Sequence, residues 1–83
     1  MKKLSEEQAM LLQEVLEKRA PQRLELVMKA RRAVLLDHER AELCELISSE
    51  FLTTGLGVDD EPTPRGIRLE QLLDEVNRPR LER

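Results

Sequence analysis

The stretch PQRLELVMKARRAVLLDHERAELCELISSEFLTTG, residues 21–55, decides the fold. A proline suited to the first position of a helix opens it, a glycine suited to ending one closes it, and almost every residue between is a helix former. It holds Leu24, Val27, Met28, Val34, Leu35, Leu36, Leu43, Leu46, Ile47 and Phe51, most of the apolar mass a core could use. Leu24, Val27, Met28, Arg31, Val34 and Leu35 follow one helical stripe, and Leu26, Ala30 and Ala33 make a second, flatter one. Such a helix, apolar on two sides, is expected to pack against more than one neighbour. The stripe then changes phase. Extended forward it would land on His38, Ala41 and Glu45, whereas the apolar residues are Leu43, Leu46, Ile47 and Phe51. The phase change predicts a break near Leu36-Asp37, with Asp37 as cap and Leu36 and Ala41 as its hydrophobic staple. Two helices follow, over 21–35 and 38–54. The alternative is one continuous rod of about 50 Å.

Upstream, Ser5 is placed as an N-cap, Gln8 completes a capping box, and Leu4 and Ala9 sit where a staple would. Glu6 and Glu7 in the first turn, and Lys18 and Arg19 in the last, carry the charges that the helix dipole favours. Ala9, Leu12 and Leu16 recur at helical spacing with Leu11 and Val15, which predicts a helix over 6–19. Downstream, Gly55 is expected in the left-handed conformation with Leu56 folded back on Phe51, a Schellman ending. A loop over 55–63 leads to Thr63-Pro64, cap and first position of a helix over 64–78. Leu69, Leu72, Leu73 and Val76 form its stripe, and Pro79 ends it before a frayed tail over 79–83. No segment alternates apolar and polar long enough to predict a strand. The expectation is a single all-α domain over 1–83, a small four-helix bundle, with three helices around one long central helix as the runner-up.

An 83-residue chain buries a modest share of its surface, and Phe51 is its only aromatic residue. The core is therefore thin and aliphatic, and association into a homodimer would bury more. The formal net charge is -3, which favours solubility and opposes contact with nucleic acid or anionic lipid. Cys44 is the only cysteine, so no intrachain disulfide can form. Glu6 and Glu7 fall where a signal peptide needs an apolar run, and no apolar stretch approaches the ~20 residues that span a bilayer. A cytoplasmic protein without membrane contact is the expectation.

Nothing in the sequence assembles familiar catalytic chemistry. A zinc site needs three or four ligands, and His38 with Cys44 cannot supply them. His38 reads as a surface histidine beside Asp37 and Glu39. Cys44 reads as a half-buried apolar residue whose neighbours Glu42 and Glu45 oppose a thiolate. Asp59-Asp60-Glu61 lacks the alternating ligand spacing of a calcium loop, and no phosphate-binding glycine loop or serine elbow is present. The expectation is a protein without enzymatic activity or cofactor.

The charge pattern carries more. Lys18, Arg19, Arg23, Lys29, Arg31 and Arg32 form a basic segment interrupted only by Glu25. From Ala41 to Pro62 no basic residue occurs, while Glu42, Glu45, Glu50, Asp59, Asp60 and Glu61 are all acidic. One reading is two solvated faces whose opposite signs attract within the fold or between copies. A second is a protein–protein interaction module. Its six acids would form a patch for a basic partner, with spare apolar positions such as Leu11, Leu26 and Leu56 as anchors. A third is a dimeric nucleic-acid-binding regulator in which Arg23, Lys29, Arg31 and Arg32 meet phosphates. A fourth is a structural homo-oligomer. The interaction module is the leading expectation.

The run Asp59-Asp60-Glu61-Pro62-Thr63-Pro64-Arg65-Gly66-Ile67, an acidic loop entering a final helix, resembles the matching stretch of colicin-type nuclease immunity proteins. Those are acidic four-helix domains of similar length that inhibit a basic toxin, so the resemblance implies a basic protein partner. The paired tyrosines of that family's short third helix have no counterpart, since this chain contains no tyrosine.

Overall fold

The computed structural model describes residues 4–77. Among them the chain forms four α-helices, α1 (Glu6–Arg19), α2 (Glu25–Arg31), α3 (Asp37–Thr54) and α4 (Pro64–Asn77), with short 3-10 turns at Pro21–Arg23 and Val58–Asp60. No strand occurs among the described residues. The frayed tail expected over 79–83, and the last residue of the helix expected over 64–78, lie outside them.

The α1 start follows the sequence closely. The Gln8 N–H donates to Ser5 Oγ at 3.1 Å and the Ser5 N–H donates to Gln8 Oε1 at 3.2 Å, a complete capping box. Ala9, Leu11, Leu12, Val15 and Leu16 are buried, so α1 presents a broad apolar face to the other helices. Leu43 and Ile47 of α3 and Leu69, Leu72 and Val76 of α4 meet it in one core, with Leu4, Leu46, Phe51 and Leu73 at its edge.

The segment around α2 departs from the expectation of one helix over 21–35. The first turn is a 3-10 turn, and the α-helix proper ends at Arg31. The ending is a Schellman motif. The Val34 N–H donates to Lys29 O at 3.0 Å and the Ala33 N–H to Ala30 O at 3.1 Å, with Ala33 at φ 59°. The left-handed residue turns the chain, which rules out a continuous rod from α2 into α3. Burial draws on both stripes: Leu26 and Ala30 of the flatter one and Val27 and Leu35 of the other enter the core, whereas Met28 and Val34 are more than half exposed. Asp37 is the first residue of α3 rather than its cap, and its carboxylate accepts from Arg40 Nη1 at 2.7 Å. The capping contact comes from Glu39, whose Oε1 accepts the Leu36 N–H at 2.9 Å.

The Schellman ending expected at Gly55 is absent. Gly55 is right-handed, at φ -94°. Its glycine is required by proximity, because α3 and α4 pack most closely of all the helix pairs and Gly55 meets Gly66 at their junction. Gly55 O accepts the Thr63 N–H at 2.8 Å and the Thr63 hydroxyl at 3.1 Å, while the Gly66 N–H donates to Thr63 Oγ at 3.0 Å. Thr63 thus caps α4, as its sequence position predicts, and also ties α4 to the end of α3.

Candidate functional site

The six acids do not share one surface. Glu50 has no solvent exposure and belongs to the core, a correction to its place in the expected patch. Glu50 lies on the buried stripe of α3 with Leu43 and Ile47, and four donors converge on it. Arg19 Nε stands 2.7 Å from Oε1. The Thr54 hydroxyl, Lys18 Nζ and Arg65 Nη2 stand 2.8, 3.2 and 3.4 Å from Oε2. Burial pushes its pKa up, but hydrogen bonds from Arg19, Thr54, Lys18 and Arg65 outweigh burial and bring it from 4.5 down to about 2. Arg65 also donates to Glu14 at 3.1 Å, and that bond is the main cause of its raised pKa. One carboxylate therefore ties α1, α3 and α4 together.

Glu42 is held by Arg23, whose Nε and Nη2 donate to its two oxygens at 3.0 and 3.2 Å. This bidentate pair is the main cause of the raised Arg23 pKa. Glu45 is exposed on α3, in an open cleft of about 600 Å³ that also borders Arg40, Cys44, Ser48, Leu52 and Asn77. Cys44 is half-buried there and His38 is exposed. Among the described residues no three His, Cys, Asp or Glu side chains come together in a way that could hold a metal ion.

Asp59, Asp60 and Glu61 remain together and exposed in the α3–α4 loop. The loop is closed at its base. The Gly57 N–H donates to Glu61 O at 2.7 Å, and Leu56 pairs with Pro62 in an antiparallel bridge. Asp59 and Asp60 both adopt φ 62°, the left-handed region that aspartate tolerates better than most residues. Val58 beside them is 85% exposed. The expected apolar anchors are placed differently: Leu11 and Leu26 are core and Leu56 is half-buried. Val58 at the loop, and Met28, Val34 and Leu36 around the α2–α3 turn, are exposed instead.

The basic segment is largely neutralised within the fold. Arg23 is shared by Glu42 and Glu25, Lys29 Nζ stands 2.6 Å from Glu39 Oε2, and Arg31 Nη2 stands 3.1 Å from Glu6 Oε1. Glu39 is buried, and its pKa is lowered chiefly by the Leu36 N–H and then by Lys29. Arg32 is the one of the four expected phosphate contacts that holds no ion pair among the described residues. The signal for Glu39 and Glu50 was in the sequence: both fall on the helical register of Leu43 and Ile47, where a carboxylate must find cations on a neighbouring element.

No helix among the described residues is long and apolar enough to cross a membrane. No family model, curated protein or solved structure matches the chain.

Proposed function

We propose that this protein is a non-enzymatic interaction module, a small helical bundle that presents the loop Gly57–Glu61 to a basic surface on a partner protein. The observation that carries this reading is the distribution of unspent charge. Carboxylates of the fold occupy most of the described cations, and of the exposed acids without an ion pair among the described residues, Glu7, Glu17, Glu45, Glu70 and Asp74 are spread singly over the helices, whereas Asp59, Asp60 and Glu61 are consecutive and adjoin the exposed Val58. An apolar tip ringed by unsatisfied acids supplies both steering and contact area. The closed base of the loop lowers the entropy lost on binding. The nucleic-acid reading is less well supported, because Arg23, Lys29 and Arg31 would have to leave Glu42, Glu39 and Glu6 to reach phosphates.

The test is capture of host proteins on immobilised chain at low and at raised salt, with the variant Asp59→Asn, Asp60→Asn, Glu61→Gln alongside. Asparagine and glutamine remove the charge, and asparagine tolerates the left-handed backbone of positions 59 and 60 better than lysine would. The reading requires a basic protein retained by the native chain, released by salt and lost with the variant. Equal retention by both chains would remove the loop from the account.

A further inference from the structure

We infer that the loop Gly57–Glu61 also accepts a second copy of this chain, which docks through the corner between α2 and α3. This rests on the acidic-docking reading and names one partner for it. The corner carries Met28, Val34 and Leu36, which are 54%, 56% and 56% exposed, around Arg32. Met28 and Val34 hold the two positions that a Schellman turn brings side by side, so the turn at Ala33 gathers apolar surface at one point. Arg32 is exposed and holds no ion pair among the described residues, and Arg31 next to it is 43% exposed at its side chain despite its contact with Glu6. The loop offers the complement: Val58 with Asp59, Asp60 and Glu61, all exposed, the three acids without an ion pair among the described residues.

The two surfaces cannot meet in one chain. The corner precedes α3 and the loop follows it, and an 18-residue helix separates its ends by about 27 Å. The helix dipole of α3 adds negative polarity at the loop, where no basic residue in its last turn offsets it, while Asp37 and Glu39 in its first turn offset the positive end and leave Arg32 as the charge of the corner. Two copies placed head to tail bring opposite signs and apolar tips together. Such a contact uses different surfaces on the two copies and leaves one of each free, so association is open-ended and concentration-dependent.

Sedimentation velocity across a dilution series at low and raised salt tests this with the full chain. The native protein is expected to rise above single-chain mass with concentration at low salt and to return to it at raised salt. Arg32→Glu alone, and the Asp59→Asn, Asp60→Asn, Glu61→Gln variant alone, are each expected to lose that rise while keeping their helical circular dichroism. An equimolar mixture of the two variants retains one native corner and one native loop, so it is expected to form a two-chain species and nothing larger. A native chain that stays at single-chain mass throughout, or variants that associate as it does, would overturn the inference. In that outcome, salt-sensitive capture of a basic protein by the loop would leave the interaction-module reading standing.

Discussion

The backbone of Gly55 lies directly against that of Gly66, so that a Cβ on Gly66 would overlap the Gly55 carbonyl oxygen. The same carbonyl takes both the Thr63 N–H and the Thr63 hydroxyl. The end of α3, the cap of α4 and the exit of the acidic loop are therefore one joint, and the loop is presented from it.

Gly66→Ala measures that joint. In an ordinary helix interior the change stabilises by about 1 kcal/mol. Here the clash is with backbone, which cannot rotate away, and a net loss of about 3 kcal/mol is expected. A fall in the urea midpoint with unchanged slope is the readout. A gain in stability would show that the helices can part at no cost.

Ala33→Gly should act in the opposite direction. Ala33 closes α2 at φ 59°, where a Cβ is crowded against the backbone. Relief of that strain is worth about 1 kcal/mol, reduced somewhat by the extra freedom of glycine in the unfolded chain. A rise of several degrees in melting temperature is expected, and a fall would contradict the Schellman ending.

Much of the fold was legible in the sequence. Ser5 and Gln8 announced the first helix, Thr63-Pro64 the last, and the phase change after Leu35 announced a break. The exact ending of α2 was hidden because an alanine, not a glycine, takes the left-handed position, and neither composition nor period marks it. Gly55 attracted the Schellman assignment for the converse reason: its need for a bare Cα comes from Gly66, a tertiary contact that local patterning does not report. The acidic patch was overdrawn through counting charge along the chain. Glu42 is drawn to Arg23 and Glu50 to Lys18, Arg19 and Arg65, all on other elements, and that pairing depends on which helices touch.

Glu50 makes the protein acid-sensitive. Its folded pKa of about 2 lies below the ordinary 4.5. The stabilisation is therefore complete above 4.5 and is lost as the pH falls through the folded value near 2. Glu39, also lowered, adds in the same direction. Glu50→Gln keeps the shape and loses the charge, with an expected cost of about 2 kcal/mol at neutral pH. Denaturation of both chains at stepped pH should show the difference shrinking below 4.5. A difference independent of pH would mean that the charge of Glu50 contributes nothing.

Asp59→Gly separates stability from binding. Glycine adopts φ 62° without strain, so the variant should be more stable by up to about 1 kcal/mol. It also removes one exposed carboxylate, so capture of a basic partner should weaken. Thermal melting and salt-dependent retention, run on one preparation, check both halves. Improved binding would mean that the loop charge is irrelevant.

The central claim is that most of the described cations of this fold are spent internally and that the run Asp59-Asp60-Glu61 is its docking charge for a basic partner. Amide NMR of the labelled chain, titrated separately with a short oligoarginine peptide and with duplex DNA at low salt, tests it most directly. Shifts confined to Gly57–Glu61 with the peptide, and none with DNA, are the expected result. Shifts at Arg23, Lys29, Arg31 and Arg32 with DNA, and a silent loop with the peptide, would contradict it.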